Sequence, residues 1–126
     1  MNVLGTNLKL CGSKPLTGYN RKGYCNLDMY DKGTHLVCAI VTKEFLDFTY
    51  NQGNDLISPR NRFPGLKPGD RWCLCVLRWI EAYKNGVAPF IDLECTHSDV
   101  LHYIHLDILL RYAYVSNIYL KKCIPK

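Results

Sequence analysis

FPGLKPGDRWCLCVLRW, residues 63–79, is the stretch whose reading decides the fold. It holds two Pro-Gly pairs, Pro64-Gly65 and Pro68-Gly69. Proline presets φ at the first central position of a type II turn, and glycine takes the positive φ of the second without a Cβ clash. Asp70 and Arg71 follow, and then an apolar run from Trp72 to Leu77 carries Cys73 and Cys75. The expected structure is a double turn feeding a buried strand, with charged side chains held at the strand's mouth.

Upstream, HLVCAIV at residues 35–41 is almost continuously apolar, as a strand covered on both faces must be. Thr42 is a good N-cap and Glu44 suits the first turn of a following helix. Phe45, Leu46 and Tyr50 supply its inward stripe, and Gly53 marks its end. Downstream, Val76, Trp79, Ile80 and Tyr83 recur at helical spacing up to Gly86, leaving Arg78, Glu81 and Lys84 outward. Pro89 to Glu94 reads as a returning strand, and Thr96 to Asp99 as a capping sequence for a helix through Leu101 and Ile104. Asp107 to Tyr114 is expected to be helical as well. Asn2 to Leu8 suits a short edge strand with a bulge at Gly5.

Between these elements lies a long turn-rich segment, Cys11 to Gly33, whose length is unusual in a compact domain unless something pins it. Packing of Tyr19, Tyr24 and Tyr30 is the expected pin, with help from Cys11 and Cys25. The predicted fold is α+β: a single compact domain over residues 1–114, with a small mixed β-sheet, packed helices and a long Gly-rich N-terminal loop. Residues 115–126 are expected to form a basic C-terminal tail.

A chain of 126 residues is long enough for a real core, and an apolar fraction of 48% argues against disorder. Sixteen Lys and Arg against eleven Asp and Glu give a net charge of +5, spread along the chain. That balance permits a phosphorylated or nucleic-acid partner without requiring one. No zinc-finger spacing, recognition helix or RNA-binding aromatic motif is present, so nucleic acid is not the expected partner. No apolar segment precedes Lys14, and Asp107 and Arg111 interrupt the most apolar stretch near the end. Neither a signal peptide nor a membrane span is therefore expected, and the protein is expected to be cytoplasmic. In that compartment its seven cysteines should be thiols.

The cysteines offer chemistry with weak local spacing. Cys73 and Cys75 on one face of a regular strand would be about 6.5 Å apart, too far for two zinc-bound sulfurs. A metal would need Cys25, Cys38, Cys73, Cys75, His35 and His97 brought together by the fold; zinc is the natural candidate and is not favoured. A catalytic pair would set one thiol beside His35 or His97. The polar set is the stronger indication. Asn54, Asp55, Asp70, Arg71 and Arg78 stand beside glycines or at element ends, and His97 stands where a strand gives way to a helix. Arg71 offers a planar fork for a carboxylate or phosphate, which Asp70 could orient. The bland alternative has Asp70 capping its turn and Arg71 tying down the long loop.

The opening NVLGT with Cys11, the segment TGYNRKGYC, HLVCA, GNDL, FPGLKPGDRWCLC followed by RW, GVAP, and Thr96-His97 occur here in order. In these the chain resembles the family called domain of unknown function 2237, over roughly Asn2 to Tyr112. The resemblance implies no particular activity. This chain departs from the family pattern where Tyr24-Cys25 replaces two adjacent cysteines, where Cys95 replaces a small apolar residue, and in a shorter loop between Asn54 and Phe63.

The function expected on these grounds is a small intracellular binding domain for a small anionic ligand, in a pocket walled by Asp55, Asp70, Arg71 and His97. The alternatives are an enzyme using a Cys-His pair or a bound metal, and a protein–protein module docking through its basic tail.

Overall fold

The computed structural model describes residues 1–32 and 34–114. The segment expected to be a basic tail lies outside the described residues. Among the described residues three strands form a sheet: β1 (Val37–Ile40), β2 (Arg71–Leu74) and β3 (Phe90–Ile91), in the order β2-β1-β3. Three helices accompany it among the described residues: α1 (Lys43–Asn51), α2 (Val76–Lys84) and α3 (Leu106–Arg111). The fold is a small α+β domain, as the order of predicted elements implied. Both strand pairings are antiparallel, so the sheet is not mixed. Parallel pairing among the described residues is confined to the bridge Ile91–Ala113, where the chain after α3 straps β3.

The register explains why residue 35 onward is so apolar. Cys38 pairs with Cys73 and Ile40 with Arg71, whereas Val37 pairs with Leu74 and Ala39 with Trp72. Directly opposed residues share a face. One face therefore presents Val37, Ala39, Trp72 and Leu74, which join Phe45, Val76 and Trp79 in the main hydrophobic core. The other presents Cys38, Cys73 and Arg71 and is covered by the long N-terminal loop. As the central strand, β1 is buried from both sides.

The double turn is built much as its residues require. Gly65 and Gly69 take φ of 81° and 93°. At the second corner the Asp70 N–H donates to Lys67 O at 3.0 Å, closing the turn. The first corner is open instead, because the Leu66 N–H reaches back to Leu56 O at 2.7 Å. The Gly69 N–H then donates to Val41 O at 2.8 Å and the Val41 N–H to Asp70 O at 2.9 Å, feeding the chain into β2.

Local signals set the helices. The Thr42 hydroxyl accepts from the Phe45 N–H at 3.1 Å, and the helix ends at Asn51. Its inward stripe is Phe45, Leu46 and Thr49, and Tyr50 is exposed rather than buried. The stripe needs a third position close to Leu46, and Thr49 takes it with its hydroxyl satisfied by Asn54 at 3.1 Å. The returning strand is only two residues long, since Asp92 turns the chain into two successive 3-10 turns, Leu93–Cys95 and Ser98–His102.

Two expectations near the N-terminus fail. Asn2 to Leu8 is a turn rather than an edge strand. The buried Asn2 amide donates to Thr6 Oγ1, Asn7 O and Glu94 O, and its carbonyl accepts from the Leu4 and Thr6 N–H groups. Four local bonds from one side chain, with a fifth to Glu94 O, outcompete a ladder. Nor do tyrosines pin the long loop: Tyr19, Tyr24 and Tyr30 are exposed. Disulfides hold it, Cys11–Cys38 and Cys25–Cys73, each joining a loop cysteine to a sheet cysteine. The expectation that all the cysteines are thiols is thus overturned for four of them. The physical reason is the register: Cys38 and Cys73 sit side by side on the face where the loop docks. Buried Thr17 accepts the Cys73 N–H at 2.7 Å, and Arg21 lies 4.8 Å over the Trp72 ring.

Candidate functional site

The side chains singled out in the sequence fall into three places. The first is the sulfur face. Arg71 is half-buried, and its fork is taken up by protein groups. Its Nε donates to Cys11 O at 2.6 Å, and its Nη2 pairs with the Asp92 carboxylate. The same nitrogen lies 3.7 Å from both Cys38 Sγ and Cys95 Sγ. Cys95 donates to Leu10 O at 3.2 Å. Burial, with help from the Asp92 carboxylate, pushes its thiol up to about 11, so at neutral pH it is a protonated hydrogen-bond donor. Around Arg71 the bland alternative is therefore the observed one: it ties the loop to the sheet.

The second place is the turns. Asp70 accepts the Lys67 N–H at 3.0 Å and lies 3.5 Å from its ammonium. The 430 Å³ hollow beside it is lined by Lys14, Pro15, Ile57 and the Pro64–Lys67 corner. Asp55 accepts from the Ile57 and Ser58 N–H groups, and the Ser58 bonds hold its carboxyl below the usual range. His97 caps the second 3-10 turn, its Nδ1 accepting from the Asp99 N–H at 3.1 Å. Burial lowers the pKa of that imidazole, which suits a ring nitrogen required as an acceptor. Neither this hollow nor the cleft described below is lined by more than one of Asp55, Asp70, Arg71 and His97, and each side chain is committed to backbone or to a partner where it stands.

The third place brings candidates together. A cleft of 220 Å³ at the junction of β2 and α2 is lined by His35, Asn54, Leu56, Trp72, Leu74, Cys75 and Arg78. Four of these were candidates from sequence: His35, Asn54, Cys75 and Arg78. The rest form an apolar floor. Trp72 and Leu74 reach it from the helix-covered face of β2, and Trp72 is braced by Phe63 at 5.1 Å between ring centres. Asn54 is set just past the end of α1 by its bonds to Thr49. Arg78 crosses from α2 to Gln52 O at 3.2 Å and pairs with Glu81 at 3.2 Å.

Cys75 is a free thiol at the N-cap of α2, partly accessible. A regular strand would have placed it beside Cys73. β2 ends at Leu74, and the turn into α2 swings Cys75 away to the cleft, while the Val76 N–H bonds Thr34 O at 3.1 Å. That bond brings the start of α2 against the segment carrying His35. The ring of His35 is fixed from behind: Nδ1 lies 2.7 Å from Asp31 Oδ1, and the other carboxylate oxygen accepts the His35 N–H at 2.9 Å. The Asp31 side chain is 2% exposed, so this is a buried orienting carboxylate. With Nδ1–H given to Asp31, Nε2 is the ring's basic nitrogen.

Sequence reasoning missed Asp31 and Asp92 and gave Cys11 only an accessory role. Asp31 stands four residues before His35, the one local signal that could have revealed it. Nothing local links Asp92 to Arg71, which meet through pairing of β1 with both neighbours.

The family model described as "Uncharacterized protein conserved in bacteria (DUF2237)" matches residues 1–113. No curated protein matches the chain.

Proposed function

We propose, for a chain that belongs to the DUF2237 family, that it binds a small anionic molecule in the cleft of His35, Asn54, Cys75 and Arg78. The observation that carries this reading is the gathering of polar side chains from three separate segments over one apolar floor. Arg78 supplies a guanidinium, Asn54 an amide and His35 an imidazole. The cleft also opens at the start of α2, where the helix dipole favours negative charge. Small-molecule sites commonly combine such an apolar floor with a few convergent polar groups. A cleft of this size takes a ligand of a few heavy atoms, such as a short carboxylate or a phosphate ester.

The test is an NMR titration of the ¹⁵N-labelled protein with inorganic phosphate and, separately, with a short dicarboxylate. Shifts confined to Asn54, Val76, Leu77, Arg78 and the His35 ring are expected, and Arg78→Ala should weaken binding about tenfold. Shifts scattered over surface lysines, or no saturable shift, would refute it.

A second reading is favoured by the Asp31–His35 contact. Asp31, His35 and Cys75 supply the carboxylate, base and thiol used in nucleophilic catalysis. In that role Nε2 takes the Cys75 proton while Asp31 holds the ring. Peptide-resolved alkylation kinetics test it: Cys75 should label fastest among the described cysteines, and His35→Ala should slow it. Equal rates with and without His35 would remove this reading.

A further inference from the structure

We propose that Cys11, Cys25, Cys38 and Cys73 form a redox-gated metal site, holding one Zn²⁺ as four thiolates when reduced and releasing it when oxidised to the two cystines. The inference rests on the sulfur face alone and is independent of the cleft.

The arrangement has three supports. First, the sulfurs of Cys11, Cys25 and Cys38 lie within 4.8 Å of one another, all buried, and Cys73 is bonded to Cys25. Three sulfurs are thus mutually close, and Cys73 joins them through its bond to Cys25 in the same buried cluster. In a tetrahedral zinc site with bonds of about 2.3 Å, neighbouring sulfurs are about 3.8 Å apart.

Second, the donors come from a rigid and a pliable half. Cys38 and Cys73 are opposed on adjacent strands, and Cys11 and Cys25 arrive on the loop. A metal would thus do for the loop what the disulfides do, tying it to the sheet with the same four residues. Third, a tetrathiolate site carries two net negative charges, and Arg71 Nη2 stands 3.7 Å from Cys38 Sγ. The Arg71 side chain is 32% exposed and its partner Asp92 24%, so the pair forms a rim open to solvent on an otherwise buried cluster.

The chemistry balances. Each cystine takes two electrons and two protons from a dithiol, which is itself oxidised to a disulfide. Zinc then displaces the four thiol protons. In reverse, two equivalents of a disulfide oxidant take the four electrons and are reduced to thiols, the two sulfur pairs close and Zn²⁺ leaves.

The test uses the full chain, reduced by a phosphine under argon and titrated with Co²⁺. The expected result is uptake of one equivalent with the charge-transfer and visible bands of a tetrahedral thiolate site. Zn²⁺ should displace the cobalt, and oxidised glutathione should expel the metal and restore both disulfides by mass. Cys11→Ser combined with Cys38→Ser should abolish the bands, whereas Cys75→Ser and Cys95→Ser should leave them. The proposal is overturned if the reduced protein keeps its fold by circular dichroism and takes up no cobalt. Unfolding on reduction that metal does not reverse also overturns it, as do bands that depend on Cys75. Anion titration of the cleft in the oxidised protein is unaffected by any of these outcomes, so the two proposals fail separately.

Discussion

Replacing Cys25 and Cys73 together by alanine removes the longer cross-link, whose ends are 48 residues apart. In the chain-entropy picture a loop of that length stabilises the fold by about 4 kcal/mol at about 25 °C. The contribution lost is smaller here, about 3 kcal/mol, because Cys25 lies inside the loop closed by Cys11–Cys38 and that bond still restrains the unfolded chain. Both sulfurs are packed in the core, at 0% and 1% exposure, and their loss adds about 1 kcal/mol each for contacts left unmade. The total of about 5 kcal/mol is a large share of a domain's usual stability of about 10 kcal/mol. Urea unfolding of the oxidised protein is the assay. With a slope of about 1.5 kcal/mol/M, the midpoint should fall by about 3 M. The slope itself should rise, since the freed unfolded chain exposes more surface. Hydrogen exchange should show the Cys11 and Gly23 amides, bonded to Gly23 O and Thr17 O, losing protection before those of β1. A midpoint shift below about 1 M with an unchanged slope would refute the claim that sulfur pins the loop.

Three further outcomes follow from the same contacts. Arg71→Met leaves the Asp92 carboxylate and Cys11 O without their donor, and should destabilise by about 2 kcal/mol while leaving anion binding in the cleft unchanged; the reverse pattern in melting and titration would place Arg71 in a ligand site. Gly65→Ala sets a Cβ 2.2 Å from Ile57 O at a positive φ and should cost more than about 3 kcal/mol, whereas Gly69→Ala meets nothing within 4 Å and should cost only about 1 kcal/mol of backbone strain; equal melting temperatures would contradict this. The depressed pKa of His97 means the unfolded chain takes up the proton first as pH falls, so stability should drop from about pH 6.5 downward until the folded imidazole also titrates, and His97→Asn, which keeps the cap without titrating, should flatten that part of the profile.

Much of the architecture was legible along the chain. The Pro-Gly corners, the apolar run to Val41, the Thr42 cap and the spacing from Val76 to Tyr83 are each encoded within a few consecutive residues, and each formed close to where it was read. Failures came where a local signal met a competing one. Asn2 turned its own backbone instead of joining a sheet, and Asp92 ended β3 after two residues. The site was legible by residue type and not by grouping. His35, Asn54, Cys75 and Arg78 were all picked out, but as members of different sets, and Arg71 was assigned to ligand binding when its partners hold it in the loop junction.

Residue order alone determined the α+β class, the turn that launches the central strand pair and the list of polar and sulfur side chains worth watching. Tertiary structure decided their company. Cys73 and Cys75 are neighbours in sequence, yet the strand ends between them; one joins a cystine on the loop-covered face and the other opens into a cleft on the opposite side. Which sulfur meets which, and whether Asp92 reaches Arg71, depend on strand register and loop docking. Those are settled by pairings between residues tens of positions apart, which no short window of sequence contains.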